Sequence, residues 1–197
     1  MSREKILAAV KNNQFDPIEL PGLEILNTST TKDKDLLHQY AQIASAGGST
    51  VYEVANLEAV KTILQKEFKS GGKIISCIKE LDSYIFIERV KEDLSHSFAD
   101  VELYILKSDL GVAENGALWL TENLMTIRVL PFICQHLAIV ISKNSLVPTM
   151  SQAYEKIGDA SYGYGVFIAG PSKTADIEQS LVIGAHGPRS LSVFLIG

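Results

Sequence analysis

The sequence predicts an α/β fold: a Rossmann-like, open and mostly parallel sheet with flanking helices. Helix and strand patterns alternate in the first half, which favours parallel strand pairing. The second half is richer in strands. With 197 residues and 46% hydrophobic composition, the chain has the length to bury the core of one ordinary domain. We expect a single open sheet with helices on both faces and ligands at the carboxyl ends of its strands.

The first half carries the helix–strand alternation. Apolar residues recur at helical spacing in two segments, and paired glycines or asparagines end or begin the elements. The predicted elements are a helix ending near Asn12–Asn13, an irregular segment over 15–31, a helix over Lys34–Ala46 ended by Gly47–Gly48, a strand over Thr50–Val54, a helix capped by Asn56 and reaching about Phe68, and a strand over Lys73–Ile78.

The second half is dominated by short apolar runs bounded by turn residues, which indicate strands. One helix is clear, Met150–Ile157, which Pro148–Thr149 introduces. The predicted strands are Ser83–Ile87, Val101–Leu106, Ala117–Leu120, Leu137–Ile141, Val166–Ala169 and Ser192–Ile196.

Charge and cysteine content exclude several classes of function. The formal net charge of −5 leaves no basic footprint, which argues against nucleic acid as the main partner. Cys77 and Cys134 lack CxxC spacing and lie in apolar runs, as reduced thiols of a cytoplasmic protein do. The most apolar stretch, 127–142, is broken by polar residues and is too short to span a membrane. The N-terminus has no signal-peptide pattern. We therefore expect a cytoplasmic protein without a membrane partner.

The first candidate site is the turn Glu114–Asn115–Gly116 inside Asp109–Leu120. A carboxylate on a glycine-hinged turn before a buried strand lies where backbone approaches a ligand closely. Glu114 there is a candidate base or nucleophile. The alternative is a polar turn with Asn-Gly in left-handed geometry, which is common in hairpins.

The second candidate site is Gly170–Glu178, with the sequence GPSKTADIE. Backbone N–H groups after Gly170, together with Ser172, Lys173 and Thr174, suit an anionic ligand. The structural alternative is a strand end followed by a helix or turn. In that case the hydroxyls cap its start, and Asp176 and Glu178 lie in its first turn.

The third candidate site is Gly184–Leu191, with the sequence GAHGPRSL. His186 lies between small residues on a predicted loop, with Arg189 nearby, and suits a base or an anion contact. The alternative is a tight Gly-Pro turn that leads into the C-terminal strand. No HxxxH, HExxH, Walker A, GxGxxG or GxSxG pattern is present, which argues against a zinc site, a nucleotide loop and a serine hydrolase.

Taken together and in this order, the three stretches resemble the LUD domain (lactate utilization, LutC/YkgG type). Members carry an A-E-[TN]-G-[TA] turn, a G-P-S-[RK]-T-A-D-I-E stretch and a G-x-H-G-P close. Here these are 113–117, 170–178 and 184–188. The resemblance divides the chain into an N-terminal helix and irregular lead-in over 1–34 and a LUD α/β domain over 35–197. It implies the fold group of glucosamine-6-phosphate and ribose-5-phosphate isomerases and CoA transferases.

The resemblance implies a non-redox component of a system that oxidises L-lactate to pyruvate with iron–sulfur partner proteins. The chain has no cysteine clusters and no flavin or nicotinamide motif, so its cofactor is unknown and the redox centres are expected on the partners. A small anionic ligand is the expected occupant of the site. Its candidate residues, besides Glu114, are Asn115, Gly116, Gly170, Ser172, Lys173, Thr174, Asp176, Glu178, His186 and Gly187.

Two alternative functions remain open. Glu114–Asn115–Gly116 is similar to the Ser-Glu-Asn-Gly turn of class I CoA transferases, whose glutamate becomes acylated, although Ala113 replaces the serine. A stand-alone isomerase- or transferase-like enzyme with Glu114 as base or nucleophile is therefore one alternative. The other is a scaffold or interaction subunit in which the three stretches only shape turns.

Overall fold

A computed structural model describes residues 2–15, 18, 33–68, 72–81, 98–125, 127–174 and 182–197, without the side chains of residues 33–35. In these ranges the α-helices are α1 (Arg3–Asn12), α2 (Asp33–Ala46), α3 (Leu57–Glu67), α4 (Leu130–Ile133) and α5 (Met150–Ile157). The strands are β1 (Ser49–Val54), β2 (Lys73–Ser76), β3 (Val101–Ser108), β4 (Leu110–Val112), β5 (Ala117–Thr121), β6 (His136–Ser142), β7 (Leu146–Val147), β8 (Gly165–Ile168), β9 (Lys173–Thr174), β10 (Val182–Ile183) and β11 (Ser190–Ile196).

The centre of the molecule is a five-stranded parallel sheet in the order β1-β11-β6-β3-β2. Its inner strands are almost continuous apolar runs, as a sheet that is covered on both faces requires. Alternate side chains of each strand point to opposite faces. On β3, Leu103 and Ile105 face one side, whereas Tyr104 and Leu106 face the other.

Different elements cover the two faces of this sheet. Helix α3 packs Val60 and Leu64 on one face. On the other face lie α2, through buried Tyr40 and Ala44, and a second sheet of four strands in the order β7-β4-β5-β8. Helix α5 covers the outer side of this second sheet, where Ala153 is fully buried. The layers are therefore α3, the parallel sheet, α2 with the second sheet, and α5.

The predicted α/β class with a mostly parallel sheet and flanking helices is confirmed, but the expected single sheet is wrong. Only β4–β7 is a parallel pair in the second sheet; β4–β5 and β5–β8 are antiparallel. A separate two-stranded antiparallel ribbon joins β9 and β10. These additional strands escaped prediction because β4, β7, β9 and β10 have only two or three residues each. Such lengths show no hydrophobic period.

Most of the other predicted elements agree with the structure to within two residues. The Asn56 side chain accepts a hydrogen bond from the backbone N–H of Ala59 and so caps α3, as predicted. Thr149 caps α5 in the same way through Gln152. The predicted strand Ser83–Ile87 lies outside the described residues, as does most of the irregular segment 15–31.

Helix α1 differs from the other long helices because none of its residues is buried. Its apolar residues Ile6, Leu7 and Val10 are each about half exposed. The division into a lead-in over 1–34 and a domain over 35–197 stays a prediction.

Candidate functional site

The first two sequence stretches meet at the C-terminal end of α2, and the third lies against the second. The turn Glu114–Gly116 joins β4 to β5, and Gly116 lies against Ala44 of α2. A Cβ at Gly116 would lie 2.8 Å from the Ala44 Cα, and the Gly116 φ is +70°. Only glycine permits both this conformation and this close approach. The Tyr40 hydroxyl donates to the Gly116 carbonyl at 3.4 Å and links the same turn to α2.

The second stretch meets α2 one turn further along. Gly170 has a φ of +77°, and a Cβ there would lie 2.5 Å from the Gly47 carbonyl oxygen. The Lys173 ammonium donates a hydrogen bond to that same carbonyl. Pro171 packs beside Gly48, which follows the helix. A lysine at a helix C-terminus satisfies a free carbonyl and complements the helix dipole.

The third stretch lies directly against the second. The Ser172 N–H donates to the Pro188 carbonyl at 2.9 Å, and the Gly184 N–H donates to the Ser172 carbonyl at 2.9 Å. A Cβ at Gly187 would lie 3.0 Å from the Ser172 Cβ. His186 is exposed between these contacts. The two Gly-Pro turns are therefore neighbours in the structure.

The local structure of the second stretch limits how it could bind an anion. Lys173 and Thr174 form strand β9, which pairs with β10. The Ser172 N–H already donates a hydrogen bond to the Pro188 carbonyl. Ligand binding by this stretch stays a prediction, and the Lys173 ammonium is its exposed donor. Asp176 and Glu178 lie outside the described residues.

Glu114 is exposed, and its carboxylate holds the N-terminus of α5. Oε2 accepts a hydrogen bond of 2.8 Å from the backbone N–H of Met150. Beside it, the Asn115 side chain accepts from the Ala117 N–H at 3.0 Å, as an Asx turn does. The Glu114 Oε1 atom has no partner among the described residues.

A buried hydroxyl lies next to this meeting point and was missed by the sequence analysis. Ser49 begins β1 directly after Gly48, and its side chain is 6% exposed. Within the described ranges, its Oγ atom has no hydrogen-bond partner. A buried polar group without a partner is rare in a folded protein, so this hydroxyl is a candidate contact for a ligand.

The meeting point lies at the amino edge of the parallel sheet, opposite to the edge we expected. Gly48 precedes β1, and Arg189 precedes β11 and donates its N–H to the Gln135 carbonyl just before β6. We call the group of Gly47–Ser49, Glu114–Gly116, Gly170–Thr174 and Gly184–Pro188 the amino-edge cluster. No carboxyl end of the described strands of the five-stranded parallel sheet takes part in it.

His136 begins β6 at the same edge, and its Nδ1 atom lies 2.7 Å from the Ser190 hydroxyl. Burial lowers its pKa, the nearby Arg189 lowers it further, and the Glu102 and Glu67 carboxylates act in the opposite direction. The Phe68 ring lies 5.2 Å from the imidazole. A neutral imidazole therefore suits this position.

A cavity of about 310 Å³ opens at the opposite, carboxyl edge of the parallel sheet. Its polar lining comes from the residues that directly follow β3 and β6 and from the ends of these strands; the lining residues are Leu57, Lys107, Ser108, Asp109, Val140, Ile141, Ser142, Ser145 and Ile196. We call it the carboxyl-edge cavity. The run Lys107–Ser108–Asp109 directly follows the predicted strand Val101–Leu106 and is the sequence signal that could have indicated this cavity.

A second cavity of about 220 Å³ shares Lys107 with the first and is lined by Cys77, Asn123, Leu124 and Met125. The Cys77 thiol there lies 3.0 Å from the Tyr104 hydroxyl. Cys134, by contrast, is buried, and burial raises the pKa of its thiol to about 12. Both cysteines were expected to be buried; Cys77 is only partly so.

The described part of the chain contains no group of three or more His, Cys, Asp or Glu side chains placed to hold a metal ion. Nor does any helix within the described ranges have the length and apolar character needed to cross a membrane.

Comparison with known proteins identifies the family. The LUD domain profile matches residues 27–196 of the chain. Lactate utilization protein C of Oceanobacillus iheyensis is 29% identical over 202 residues, which cover 98% of this chain and 84% of that protein. Lactate utilization protein C of Anoxybacillus flavithermus is 29% identical over 172 residues, covering 87% and 73%. The protein of the same name from Bacillus subtilis is 27% identical over 181 residues, covering 88% and 72%.

Among solved structures, a DUF162 family protein from Deinococcus radiodurans superposes with a TM-score of 0.67 and 18% identity. The match covers 84% of this chain and 99% of that one. The two proteins therefore share their fold.

Proposed function

We propose that this chain, which belongs to the LUD domain family, is a non-redox component of a system that oxidises L-lactate to pyruvate. Relatives named lactate utilization protein C that align over most of the chain support the assignment to lactate utilization. In this proposal the chain binds a small anionic ligand at the amino-edge cluster and works beside partner proteins.

The convergence of the three sequence stretches carries the proposal. The first stretch lies far from the other two along the sequence, yet Gly116 contacts Ala44 in the last turn of α2, and Gly170 and Lys173 contact Gly47 directly after it. The Ser172 N–H donates a hydrogen bond to the Pro188 carbonyl beside these contacts. Turns with only local tasks have no need to gather at one point, whereas a binding site is assembled from distant segments in this way.

The chemistry of the cluster suits a small carboxylate such as lactate or pyruvate. The Lys173 ammonium is exposed and has three N–H donors, of which one binds Gly47. The Ser49 hydroxyl is a buried donor without a partner among the described residues. His186 is exposed at the rim. A carboxylate accepts hydrogen bonds from ammonium, hydroxyl and imidazole N–H groups alike.

Redox partners are part of the same proposal. Conversion of L-lactate to pyruvate removes two electrons and two protons, and this sequence has no cysteine cluster or known flavin or nicotinamide motif. We infer that iron–sulfur proteins accept the electrons. Purification of a tagged chain from lactate-grown cells tests this: co-elution of iron–sulfur proteins supports it, and elution without them contradicts it.

A covalent role for Glu114 is the competing hypothesis. Its Oε1 atom is exposed and available, while Oε2 is held by the Met150 N–H. Incubation with acyl-CoA thioesters followed by peptide mass spectrometry separates the two functions. A glutamyl adduct at Glu114, absent in Glu114→Gln, favours a transferase; its absence favours the binding role.

Thermal unfolding in the presence of lactate, pyruvate and sulfate tests the proposed ligand. A ligand that binds only the folded state raises Tm. We expect lactate or pyruvate to raise Tm in the wild type and to lose most of this effect in Lys173→Met and Ser49→Ala. Lys156→Met, which changes an exposed lysine on α5, is the matched control. Equal shifts in all four proteins contradict binding at the amino-edge cluster.

Growth of the native host tests the role in the cell. Deletion of the gene is expected to abolish growth on L-lactate while growth on pyruvate continues. The wild-type gene restores growth, and Lys173→Met restores it less. Normal growth of the deletion strain on L-lactate contradicts the proposed function, whatever the result of the binding experiments.

A further inference from the structure

The carboxyl-edge cavity lies where the connections of the parallel sheet leave on opposite sides. Strand β1 continues into α3, which covers one face. Strands β3 and β6 continue into β4 and β7, which belong to the second sheet on the other face. Open α/β sheets bind ligands in the crevice outside the carboxyl ends of their strands at such a switch point. The residues around the cavity come from all three connections: Leu57 after β1, Asp109 after β3 and Ser145 after β6.

The cavity has an apolar wall and a charged mouth. Leu57, Val140, Ile141 and Ile196 supply the apolar part. A volume of about 310 Å³ is at the lower end of the range of small-molecule sites, roughly 300–1,000 Å³. A free inorganic anion or lactate alone would leave much of this apolar surface uncovered.

Opposite charges flank Ser108 at the mouth. Asp109 is exposed and has no ion pair or hydrogen bond to its side chain from any described residue. Among the described residues, Lys107 forms one long, exposed ion pair, with 3.4 Å between its Nζ atom and the Glu80 Oε1 atom. Exposed pairs of this kind contribute little, so the Lys107 ammonium remains able to bind a ligand carboxylate. A ligand complementary to both residues carries a carboxylate for Lys107 and a hydrogen-bond donor for Asp109.

We propose that the carboxyl-edge cavity binds a 2-amino or 2-hydroxy acid with an apolar side chain. The ligand carboxylate contacts the Lys107 ammonium, the donor on the adjacent carbon contacts the Asp109 carboxylate, and the side chain packs on the wall formed by Leu57, Val140 and Ile196. This site is separate from the amino-edge cluster and does not depend on the proposed role in lactate oxidation.

A series of three ligands with one side chain tests the donor requirement. L-phenylalanine has an ammonium group on the carbon next to the carboxylate, L-3-phenyllactate has a hydroxyl there, and 3-phenylpropionate has neither. In thermal unfolding, we expect at least one of the first two to raise Tm by roughly 3–6 °C at a concentration ten-fold above its Kd. The stronger of the two identifies the natural class. No shift with either at 20-fold molar excess and millimolar concentration overturns the proposal.

Variants at the cavity test the assignment of residues. Asp109→Asn and Lys107→Met are each expected to weaken binding of the preferred acid about ten-fold or more, because each removes a charged hydrogen-bonding partner. Asp159→Asn and Lys156→Met, at the far end of α5, are the charge-matched controls and are expected to bind as the wild type does. Binding of 3-phenylpropionate as tight as that of the other two acids, or unchanged binding in Asp109→Asn, also overturns the proposal.

The two proposed sites fail independently. Lys173→Met is expected to leave the binding of the phenyl acids unchanged, and Asp109→Asn is expected to leave growth on L-lactate unchanged. If the phenyl acids bind and the deletion strain still grows on lactate, the cavity is established and the proposed function is wrong. If the phenyl acids do not bind and the deletion strain fails to grow on lactate, the proposal for the cavity is wrong and the proposed function is supported.

Discussion

The two edges of the parallel sheet are built in different ways. At the amino edge, Gly116 and Gly170 bring backbone into close contact with α2, and hydrogen bonds join the Gly-Pro turns to each other. At the carboxyl edge, the cavity is open and Asp109 is exposed at its mouth. Close backbone contacts shape one edge, and a cavity opens at the other.

This difference explains why recognisable sequence motifs occur at the amino edge and not around the carboxyl-edge cavity. Close backbone contacts require glycine at fixed positions and therefore produce recognisable motifs. A cavity arises from the absence of atoms between ordinary residues such as Leu57 and Ser145. The motif-rich edge carries the family resemblance, but a motif that fixes backbone is not for that reason the place where a ligand binds. Some substitutions change the free energy of unfolding without changing ligand binding, and others do the reverse. Such substitutions test whether the amino edge chiefly stabilises the fold and the carboxyl edge chiefly binds a ligand.

The largest expected effect is the loss of stability in Gly170→Ala. The residue has a φ of +77°, and the new Cβ would meet the Gly47 carbonyl oxygen at 2.5 Å. Left-handed backbone alone costs an alanine about 1–2 kcal/mol. With the backbone clash, we expect a loss of about 2–4 kcal/mol in the free energy of unfolding, measured by urea denaturation.

Gly184→Ala is the control for the backbone conformation. Its φ is also +77°, but its new Cβ would meet the Arg189 Cγ at 2.5 Å and the Arg189 Cα at 3.0 Å, so its closest contact is with a side chain and not with a carbonyl oxygen. We expect a smaller loss than in Gly170→Ala. Equal losses would show that the contact between Gly170 and α2 adds nothing beyond the local conformation.

The next effect in size is that of Lys173→Met. The substitution removes the hydrogen bond to the Gly47 carbonyl and a positive charge at the C-terminus of α2. Because the side chain is exposed, we expect a loss of only about 0.5–1 kcal/mol in the free energy of unfolding. Lys173→Arg keeps the charge and is expected to lose less. A loss in Lys173→Met as large as in Gly170→Ala would mean that the lysine is chiefly structural and would weaken its proposed role in binding.

How much of this structure was predictable depends on the length of each element. Helix α5 and the long strands β3, β6 and β11 have enough residues to show a hydrophobic pattern, and the sequence predicted each of them. The second sheet was missed because its strands β4 and β7 are short and pair with residues distant along the chain. Pairing of that kind is set by tertiary packing, which a local pattern does not contain.

The candidate site was predicted in part, for a related reason. The sequence predicted one ligand site for the three stretches, and Ser172 of the second is hydrogen-bonded to Pro188 of the third. It misplaced them at the carboxyl edge and gave Lys173 to a helix or turn start, because two residues of β9 carry no period. Ser49 and Asp109 were missed as site residues because only their surroundings in the folded protein distinguish them. The Ser49 hydroxyl is buried without a partner in the described structure. The Asp109 carboxylate borders a cavity.

His136 is expected to make the amino edge sensitive to pH, with a smaller effect. Burial lowers its pKa in the folded protein, so the unfolded chain binds more protons near and below the ordinary histidine pKa of about 6.5. The stability that the neutral imidazole contributes is therefore present above that pH and is lost as the pH falls through the folded-state pKa. Urea denaturation at several pH values between about 7.5 and 5 should show a steeper loss in the wild type than in His136→Asn. Parallel curves would contradict this contribution.

The smallest expected effect on stability is that of Asp109→Asn, and it is the sharpest test of the comparison. The side chain is exposed and has no partner in the described structure, so we expect the free energy of unfolding to change by less than about 0.5 kcal/mol. Binding of the 2-amino or 2-hydroxy acid should nevertheless weaken. Gly170→Ala would then lose stability at one edge, and Asp109→Asn would lose binding at the other. A loss of stability above about 1 kcal/mol in Asp109→Asn would instead give this carboxylate a structural task, because losses of that size follow from broken native contacts. Asp109 would then help to stabilise the native fold at the carboxyl edge, as Gly170 does at the amino edge.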